Sequence, residues 1–329
     1  MTSKNIIKIE NIRKPVEKEI KVFEKNFREV IISTVPMINI INKQVFDNKG
    51  KRLRPLLVYL SARLFGNINE ITHRAAIFIE ILHTATLIHD DIVDNADTRR
   101  GVPSINAVWK NKIAVLIGDY LLACSFIHSL KHRDYYLLHS ISDPIKRMCE
   151  GELLQIEKSN QFDIDENTYL KIISDKTASL FSACTEIGSA SAINDPGKIG
   201  LMKAFGENCG MAFQIKDDIL DFSGRKNLIG KPVLNDVKEK KFTLPLIYAL
   251  RNGEKTEQKK AMEIIRCKSS FKNINWLIDF VQKNGGIDYS IKKAEEFASK
   301  AQGCLITFPD RPAKYSLMQF ARYCVDREK

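Results

Sequence analysis

Apolar residues recur along most of this 329-residue chain at spacings of three and four, the period of an amphipathic α-helix. Glycine and proline fall mostly between these periodic segments, in stretches such as RRGVPS, INDPG and RNGEK, where they end helices and form turns. Alternating strand patterns bounded by hairpin turns are hard to find. The pattern predicts an all-α protein of roughly ten or more helices, folded as one domain over residues 1–329.

Two segments are apolar on nearly every side, at about 71–94 and at about 201–222. A helix without a polar face belongs at the centre of a bundle, yet each of these segments ends in carboxylates. The DDxxD spacing occurs in both, first in Asp90, Asp91 and Asp94 and again in Asp217, Asp218 and Asp221.

The spacing of these aspartates indicates a metal site. Positions i and i+4 share one helix face, so the outer two carboxylates of each motif point the same way and repel each other. Desolvating them in a cleft costs more, and a cation has to offset that cost. Asp oxygens with room left for water and phosphate suit Mg²⁺. One such motif is usually a solvated acidic face, but two copies that close two apolar helices predict a shared site. The spacing excludes an EF-hand loop.

Basic residues near the two motifs add a second class of ligand. The formal net charge is +11, which favours anionic partners. Lysine and arginine occur in GKRLRP, RRG, SDKTASLF and LIGKP. Together with the acidic motifs they predict a cleft for polyphosphate groups, gripped by Mg²⁺ and by arginine forks. Nucleic acid is a poor fit, because two acidic clusters would repel its backbone.

The cysteines and the apolar runs bear on the compartment. Seven cysteines are scattered without a CxxC pair, which is typical of a reduced cytoplasmic protein and disfavours a zinc site. No uncharged apolar run of about 18 residues and no signal-like N-terminus is evident. We therefore expect no membrane span, while peripheral contact with a membrane surface stays open.

With both motifs in hand, the sequence resembles the trans-isoprenyl (polyprenyl) diphosphate synthase family over nearly its whole length. The resemblance rests on GKRLRP, HTATLIHDDIVDNADTRRG, GDYLL, EGELLQ, SDKTASLF, FQIKDDILDF, GKPVLNDVKEKKFTLPL and GGIDYSIKKAEEFASKA. It is strongest to bacterial long-chain, octaprenyl-type synthases. It implies an all-α bundle around a deep central cavity, usually a homodimer, with the acidic motifs facing each other across the mouth and holding about three Mg²⁺ ions.

The resemblance also implies residue roles. The catalytic site would contain Asp90, Asp91, Asp94, Asp217, Asp218 and Lys176. The metal ligands among the acidic residues would be Asp90, Asp94, Asp217 and Asp221. The allylic diphosphate would be bound by Arg99, Lys176, Thr177, Gln214 and Lys231. Isopentenyl diphosphate would be bound by Lys51, Arg54, His83 and Arg100.

Product length is predicted from the residues below the first motif. Thr86 and Ala85 lie about one turn before Asp90, and Leu82 lies a turn lower, so they should face the cavity beneath the metals. Bulky aromatic side chains there would close the cavity early. Because Ala85 and Thr86 are small, we expect a deep shaft and a medium or long product. Phe126, on the following helix, is the candidate floor.

The expected function is Mg²⁺-dependent condensation of isopentenyl diphosphate with an allylic diphosphate. The product would be a medium- or long-chain all-trans polyprenyl diphosphate, octaprenyl-like, for a quinone side chain. One alternative is a short-chain farnesyl or geranylgeranyl diphosphate synthase. A second is the regulatory subunit of a heteromeric synthase, which is disfavoured because such subunits usually lose one acidic motif and this chain retains both.

Overall fold

The computed structural model describes residues 7–48, 50–162, 164–223, 241–266 and 271–328. These residues are almost entirely helical, and the one sheet among them is a hairpin of two-residue strands. The predicted all-α fold class is therefore confirmed.

The first half of the chain contains α1 Ile9–Arg13, α2 Glu17–Val30, α3 Pro36–Asp47, α4 Leu53–Phe65, α5 Glu70–Val93, strands β1 Thr98–Arg99 and β2 Val102–Pro103, α6 Ile105–Lys131 and α7 Tyr135–Gln161. The second half contains α8 Glu166–Ile173, a π-helical turn Ser174–Ala178, α9 Ser179–Ala190, α10 Pro196–Ser223, α11 Leu244–Asn252, α12 Lys255–Arg266, α13 Phe271–Lys283, α14 Gly286–Cys304 and α15 Pro312–Asp326. A short 3₁₀ turn joins α1 to α2.

The two acidic helices, α5 and α10, are central, as their sequences predict. Helix α5 packs against α4, α6 and α9, while α10 packs against α9, α14 and α15. Helix α9 thus touches both. Large side chains such as Phe78 on α5 and Phe205 on α10 are wholly buried, which stabilises the fold by about 1.5–3 kcal/mol for each.

Helix α5 begins and ends where its sequence provides caps. The Asn69 side chain accepts a hydrogen bond from the Thr72 N–H at 3.0 Å, and the Thr72 hydroxyl accepts one in return from the Asn69 N–H. This reciprocal arrangement satisfies donors that the first turn leaves unpaired. At the other end the Asp94 N–H donates to the Asp90 carbonyl at 2.8 Å. The acidic motif is therefore the last turn of a long buried helix.

A tight hairpin follows the first motif. Strands β1 and β2 pair antiparallel, and the two residues between them, Arg100 and Gly101, have φ of 54° and 80°. Two positive φ values in succession are what a two-residue hairpin turn needs. The turn brings the chain back so that Arg99 lies against α5. Strands of two residues are too short to show an alternation of polar and apolar residues, so the sequence pattern did not predict this hairpin.

Helix α6 differs from expectation. By length and composition it is apolar enough to cross a membrane, and a third of its most apolar stretch is buried. Lys112 and Asp119 interrupt this stretch, so it contains no uncharged apolar run of about 18 residues. One such helix among the described residues is weak evidence for a span, since core helices of globular proteins meet the same criteria.

Candidate active site

In the first acidic motif the outer and middle aspartates have different surroundings. Asp90 and Asp94 are partly exposed to solvent, whereas Asp91 is only 4% exposed. The Arg99 Nε donates to both Asp91 carboxylate oxygens, at 2.7 and 2.9 Å. This charge-assisted contact is among the stronger hydrogen bonds available to a side chain. Asp91 therefore holds Arg99 beside the two outer carboxylates.

The second motif repeats this arrangement. Asp217 is exposed and Asp221 is half-buried, whereas Asp218 is 4% exposed. The Tyr169 hydroxyl donates to Asp218 Oδ2 at 2.6 Å, and the Gln214 side-chain amide donates to Oδ1 at 2.9 Å. In both motifs, the outer carboxylates remain accessible while the middle one fixes neighbouring side chains.

Lysines approach both motifs. Lys176 extends from the π-turn, and its Nζ lies 2.5 Å from Glu152 Oε2 and 2.9 Å from Gln155 Oε1. Thr177, the next residue, donates its hydroxyl proton to the Gln214 side-chain oxygen at 2.8 Å. Lys241, three residues before α11, places its Nζ 3.2 Å from Asp94 Oδ1. A cavity of about 120 Å³ has Lys176, Thr177, Gln214, Asp218 and Lys241 in its lining. Since Lys241 also pairs with Asp94, the two motifs border the same polar region.

The surroundings of Asp90 favour its neutral form unless a cation is near. Burial raises the pKa of Asp90 to about 6, opposed by Lys176 and Arg99 and reinforced by Glu152 and Asp94. Removing a carboxylate from water penalises its charged form. Lys176 and Arg99 offset only part of this penalty, so a further cation beside Asp90 would stabilise its charged form.

A second group of basic residues lies near His83, which is two turns before Asp90 on the same face of α5. The Arg54 guanidinium donates to His83 Nε2 at 2.7 Å. Arg100 donates to the Asn48 carbonyl at 2.9 Å, and its guanidinium lies against Gly50. The Lys51 Nζ donates to the Tyr323 hydroxyl at 2.8 Å. The structure thus brings Arg54, His83 and Arg100 together beside α5, whereas the Lys51 side chain extends to Tyr323 of α15.

His83 is a neutral hydrogen-bond donor. Burial lowers its pKa well below the ordinary histidine value, and the Arg54, Arg100 and Arg99 charges lower it further. A guanidinium has no acceptor, so His83 Nε2 accepts from Arg54 and the ring proton belongs on Nδ1. Among the described residues that Nδ1 is buried without a hydrogen-bond partner. His83 and Arg100 help line a cavity of about 70 Å³.

Three contacts at the site were missed by sequence reasoning. Lys241 lies within GKPVLNDVKEKKFTLPL, but neither the pattern nor the resemblance assigns it a role. The Arg327 guanidinium, 3% exposed, lies 2.7 Å from Asp217 Oδ1 and 3.5 Å from the centre of the Phe213 ring. Tyr323 is the partner of Lys51. Arg327 and Tyr323 lie on or just after α15, more than a hundred residues from the motifs they meet, and no local pattern marks them.

The residues predicted to set product length lie on or beside α5. Leu82 and Ala85 are wholly buried, and Thr86 is half-buried with its hydroxyl donating to the His83 carbonyl at 2.9 Å. Phe126 is 37% exposed, and its ring centre is 6.5 Å from that of Phe78. Phe78 precedes Asp90 by about 18 Å along the helix axis. The roles of these four residues stay predictions.

Lys231 lies outside the described residues. Within the part of the chain that is described, no three Asp, Glu, His or Cys side chains are gathered closely enough to hold a metal ion alone. The donor set nevertheless fits Mg²⁺, which takes few carboxylates and completes its shell with water and substrate phosphate. Asp94 and Asp217 each already attract a cationic side chain, Lys241 and Arg327.

Known proteins resemble this chain in sequence and in fold. The profile of the family described as polyprenyl synthetase matches residues 35–280. The chain is 35% identical over 319 residues to the all-trans-nonaprenyl-diphosphate synthase (geranyl-diphosphate specific) of Rhodobacter capsulatus, across 97% of this chain and 98% of the relative. It is 33% identical to the geranylgeranyl diphosphate synthase of Sulfolobus acidocaldarius, across 93% and 99%.

A solved structure gives the same result. The polyprenyl synthase from Caulobacter crescentus CB15, crystallised with calcium and isoprenyl diphosphate, matches with a TM-score of 0.93 and 30% identity, over 99% of this chain and 100% of that one. The resemblance drawn from the sequence motifs is confirmed. The chain therefore belongs to the polyprenyl synthetase family of prenyl-transferring enzymes.

Proposed function

We propose that this protein condenses isopentenyl diphosphate with an allylic diphosphate in an Mg²⁺-dependent reaction. The product is a medium- or long-chain all-trans polyprenyl diphosphate, octaprenyl-like, and serves as a quinone side chain. The observation that carries the proposal is the repeated motif: in each copy, two accessible aspartates flank a buried one, and both copies border the region that contains Lys176 and Lys241.

The metal ligands would be Asp90 and Asp94 from α5 with Asp217 and Asp221 from α10, for about three Mg²⁺ ions. When bound, Mg²⁺ neutralises negative charge on the departing diphosphate. Calcium in the Caulobacter crescentus structure supports use of a divalent cation. Lys241 and Arg327 would give up their carboxylate contacts as the metal arrives.

The allylic diphosphate would lie against Lys176, Thr177 and Gln214, with Arg99 reaching it from the hairpin. Lysine and arginine at fixed positions stabilise charge as it builds on the leaving group, and they cost no reorganisation during the reaction. The Arg99–Asp91 and Gln214–Asp218 contacts support this role because they hold these donors in place before substrate arrives. Lys231 is proposed as a further ligand from the family motif alone.

Isopentenyl diphosphate would be held by Lys51, Arg54, His83 and Arg100. The unpartnered Nδ1–H of His83 is a free donor for a phosphate oxygen, and neutral histidine donates without adding charge. Wholly buried apolar side chains such as Leu82 and Ala85 would keep water from the allyl group as positive charge develops on it.

We infer a homodimer from the exposed face of α6. Leu116, Ile127 and Leu130 are 55%, 62% and 50% exposed, although they are large and apolar. A second copy fits this face better than a bilayer does. Lys112 and Asp119 lie on it too, and a charge at a helix centre costs about 2.5–3.5 kcal/mol to insert.

We expect Leu116→Asp and Ile127→Asp to convert the dimer to a monomer, because each buries an unpaired charge in the interface. Light scattering after size exclusion at micromolar protein measures this. Ile306→Asp, at a residue 72% exposed outside α6, is the matched control and should leave the dimer intact. A wild-type protein that runs as a monomer contradicts the inference.

We further propose that residues 1–329 form one domain, since the buried apolar residues of the described part of the chain form one cluster from Ile9 to Val325. A cytoplasmic location is supported by the six described cysteines, all of which are free. The net positive charge would favour peripheral contact with an anionic membrane during release of a lipid-like product. Nucleic acid is not proposed as a partner.

The direct test incubates pure protein with labelled isopentenyl diphosphate, Mg²⁺ and, in turn, geranyl, farnesyl or geranylgeranyl diphosphate. We expect products longer than geranylgeranyl diphosphate, and loss of the reaction with EDTA. Products no longer than geranylgeranyl diphosphate would support the short-chain alternative, which the Sulfolobus acidocaldarius relative keeps open. Inert protein that becomes active only with a partner would support the regulatory-subunit alternative.

A further inference from the structure

Arg147 of α7 is half-buried and forms an ion pair with a buried carboxylate of the π-turn. Its Nε donates to Asp175 Oδ1 at 2.8 Å, and the Asp175 side chain is 5% exposed. The other oxygen, Oδ2, accepts from Lys171 at 2.7 Å. Neither Arg147 nor Asp175 is part of the lining of the cavity that contains Lys176. The pair therefore lies behind the binding region rather than in it.

We propose that the Arg147–Asp175 pair is a positioning device, which sets the π-turn so that Lys176 and Thr177 point at the allylic diphosphate. This inference rests on the proposed function, and it gives Arg147 and Asp175 a role that the family resemblance does not assign to them.

The π-turn needs outside support. It replaces the usual i→i−4 hydrogen bonds by a wider turn over Ser174–Ala178, a rare geometry that is found mostly at functional sites. The extra residue rotates the following side chains relative to a regular helix, so it decides where Lys176 and Thr177 point. Asp175 lies inside this turn, and its backbone carbonyl also accepts from the Ser179 hydroxyl at 2.6 Å. Contacts that fix the Asp175 side chain therefore also fix the backbone of the π-turn.

The support joins three elements. The second nitrogen of the Arg147 fork donates to Ser174 Oγ at 2.8 Å and lies 3.3 Å from Glu207 Oε1. The Ser174 hydroxyl donates to the same Glu207 oxygen at 3.1 Å. Glu207 belongs to α10, the helix that ends in the second acidic motif. The network therefore ties the π-turn to both α7 and α10.

Helix α7 presents one continuous face to the turn. Gly151, one turn after Arg147, allows close approach: a Cβ there would lie 2.9 Å from Asp175 Cβ and 3.0 Å from Lys176 Cγ. Glu152 and Gln155, on the same side, bind the far end of Lys176. Helix α7 therefore contacts both the backbone of the π-turn and the ammonium group of Lys176.

The test compares wild type with Asp175→Asn, Arg147→Gln and Arg147→Lys. We expect the first two to raise KM for the allylic diphosphate by about 10- to 100-fold, as small misplacements of binding groups do, with KM for isopentenyl diphosphate within about twofold. Arg147→Lys keeps the charge but loses the fork, so an intermediate KM is expected. Calorimetric titration with a non-reacting allylic thiolodiphosphate and Mg²⁺ should show the same loss of affinity.

The matched control is Asp134→Asn, at the other end of α7. Asp134 pairs with Arg74 at 2.5 and 2.9 Å, so its loss should lower thermal stability without changing either KM. Gly151→Ala pushes the turn without changing charge, and it should reproduce the selective rise if Asp175→Asn does not fold. An unchanged allylic KM, or both KM values rising together, overturns the positioning role. A wild-type protein that condenses nothing overturns the proposed function instead.

Discussion

Replacing Asp90 by Asn is expected to lower kcat by about 10³-fold or more, equivalent to about 4 kcal/mol of transition-state stabilisation. Asn has nearly the shape of Asp but no charge to attract a divalent cation. Asp217→Asn should have a similar effect from the opposite motif. Initial rates of labelled isopentenyl diphosphate incorporation at saturating Mg²⁺ measure both.

Thermal unfolding in EDTA separates this loss from loss of fold. Because burial raises the pKa of Asp90 to about 6, the charged carboxylate is destabilising in the metal-free protein near neutral pH. Asp90→Asn should therefore unfold at the same or a higher temperature. Asp143→Asn, at an exposed position on α7, serves as the control and should change neither rate nor stability. An Asp90→Asn enzyme within about tenfold of wild type would remove this residue from the metal site.

Ala85→Phe is expected to shorten the main product by several isoprene units. Ala85 is wholly buried on α5, one turn before Asp90, and a phenyl ring there would fill the shaft that we propose for the growing chain. Chromatography of dephosphorylated products against prenol standards measures the change. The rate of the first condensations should persist, because the ring lies below the reacting carbons.

Two further variants keep this prediction decisive. Ala85→Ser keeps the side chain small and should leave product length unchanged. Thr86 is half-buried, so its position accommodates a larger side chain more easily than that of Ala85. Thr86→Phe therefore serves as the test if Ala85→Phe does not fold. Unchanged product length in both phenylalanine variants would mean that the shaft does not run beneath Asp90, and would also remove Phe126 as its floor.

Much of the central architecture was readable from periodicity. The segment predicted at about 71–94 is helix Glu70–Val93. A long apolar stretch that follows a capping asparagine and ends in acidic residues is typical of a buried helix. The second segment starts earlier than predicted, at Pro196 rather than near 201. Its first turns carry lysine and glycine, so the all-round apolar pattern appears only after them.

The spatial partners of the motifs were not readable. Arg327 contacts Asp217, and Arg147 contacts Asp175, only because helices that are distant in sequence pack together. No local sequence pattern predicts such pairs. The π-turn at Ser174–Ala178 is likewise invisible to a 3.6-residue period. The burial of the middle aspartates was partly foreseeable, since a residue one position along a helix from an exposed one faces about 100° away. Their individual partners were not.

The central claim is that the two acidic motifs share one metal–diphosphate site. It is tested most directly by a crystal structure of the protein with Mg²⁺ and a non-reacting farnesyl thiolodiphosphate. The account predicts Mg²⁺ bridging the diphosphate to Asp90 and Asp94 on one side and to Asp217 on the other, with Lys241 and Arg327 moved off their carboxylates. Diphosphate bound elsewhere, or Mg²⁺ on only one motif with Arg327 still paired to Asp217, would contradict it.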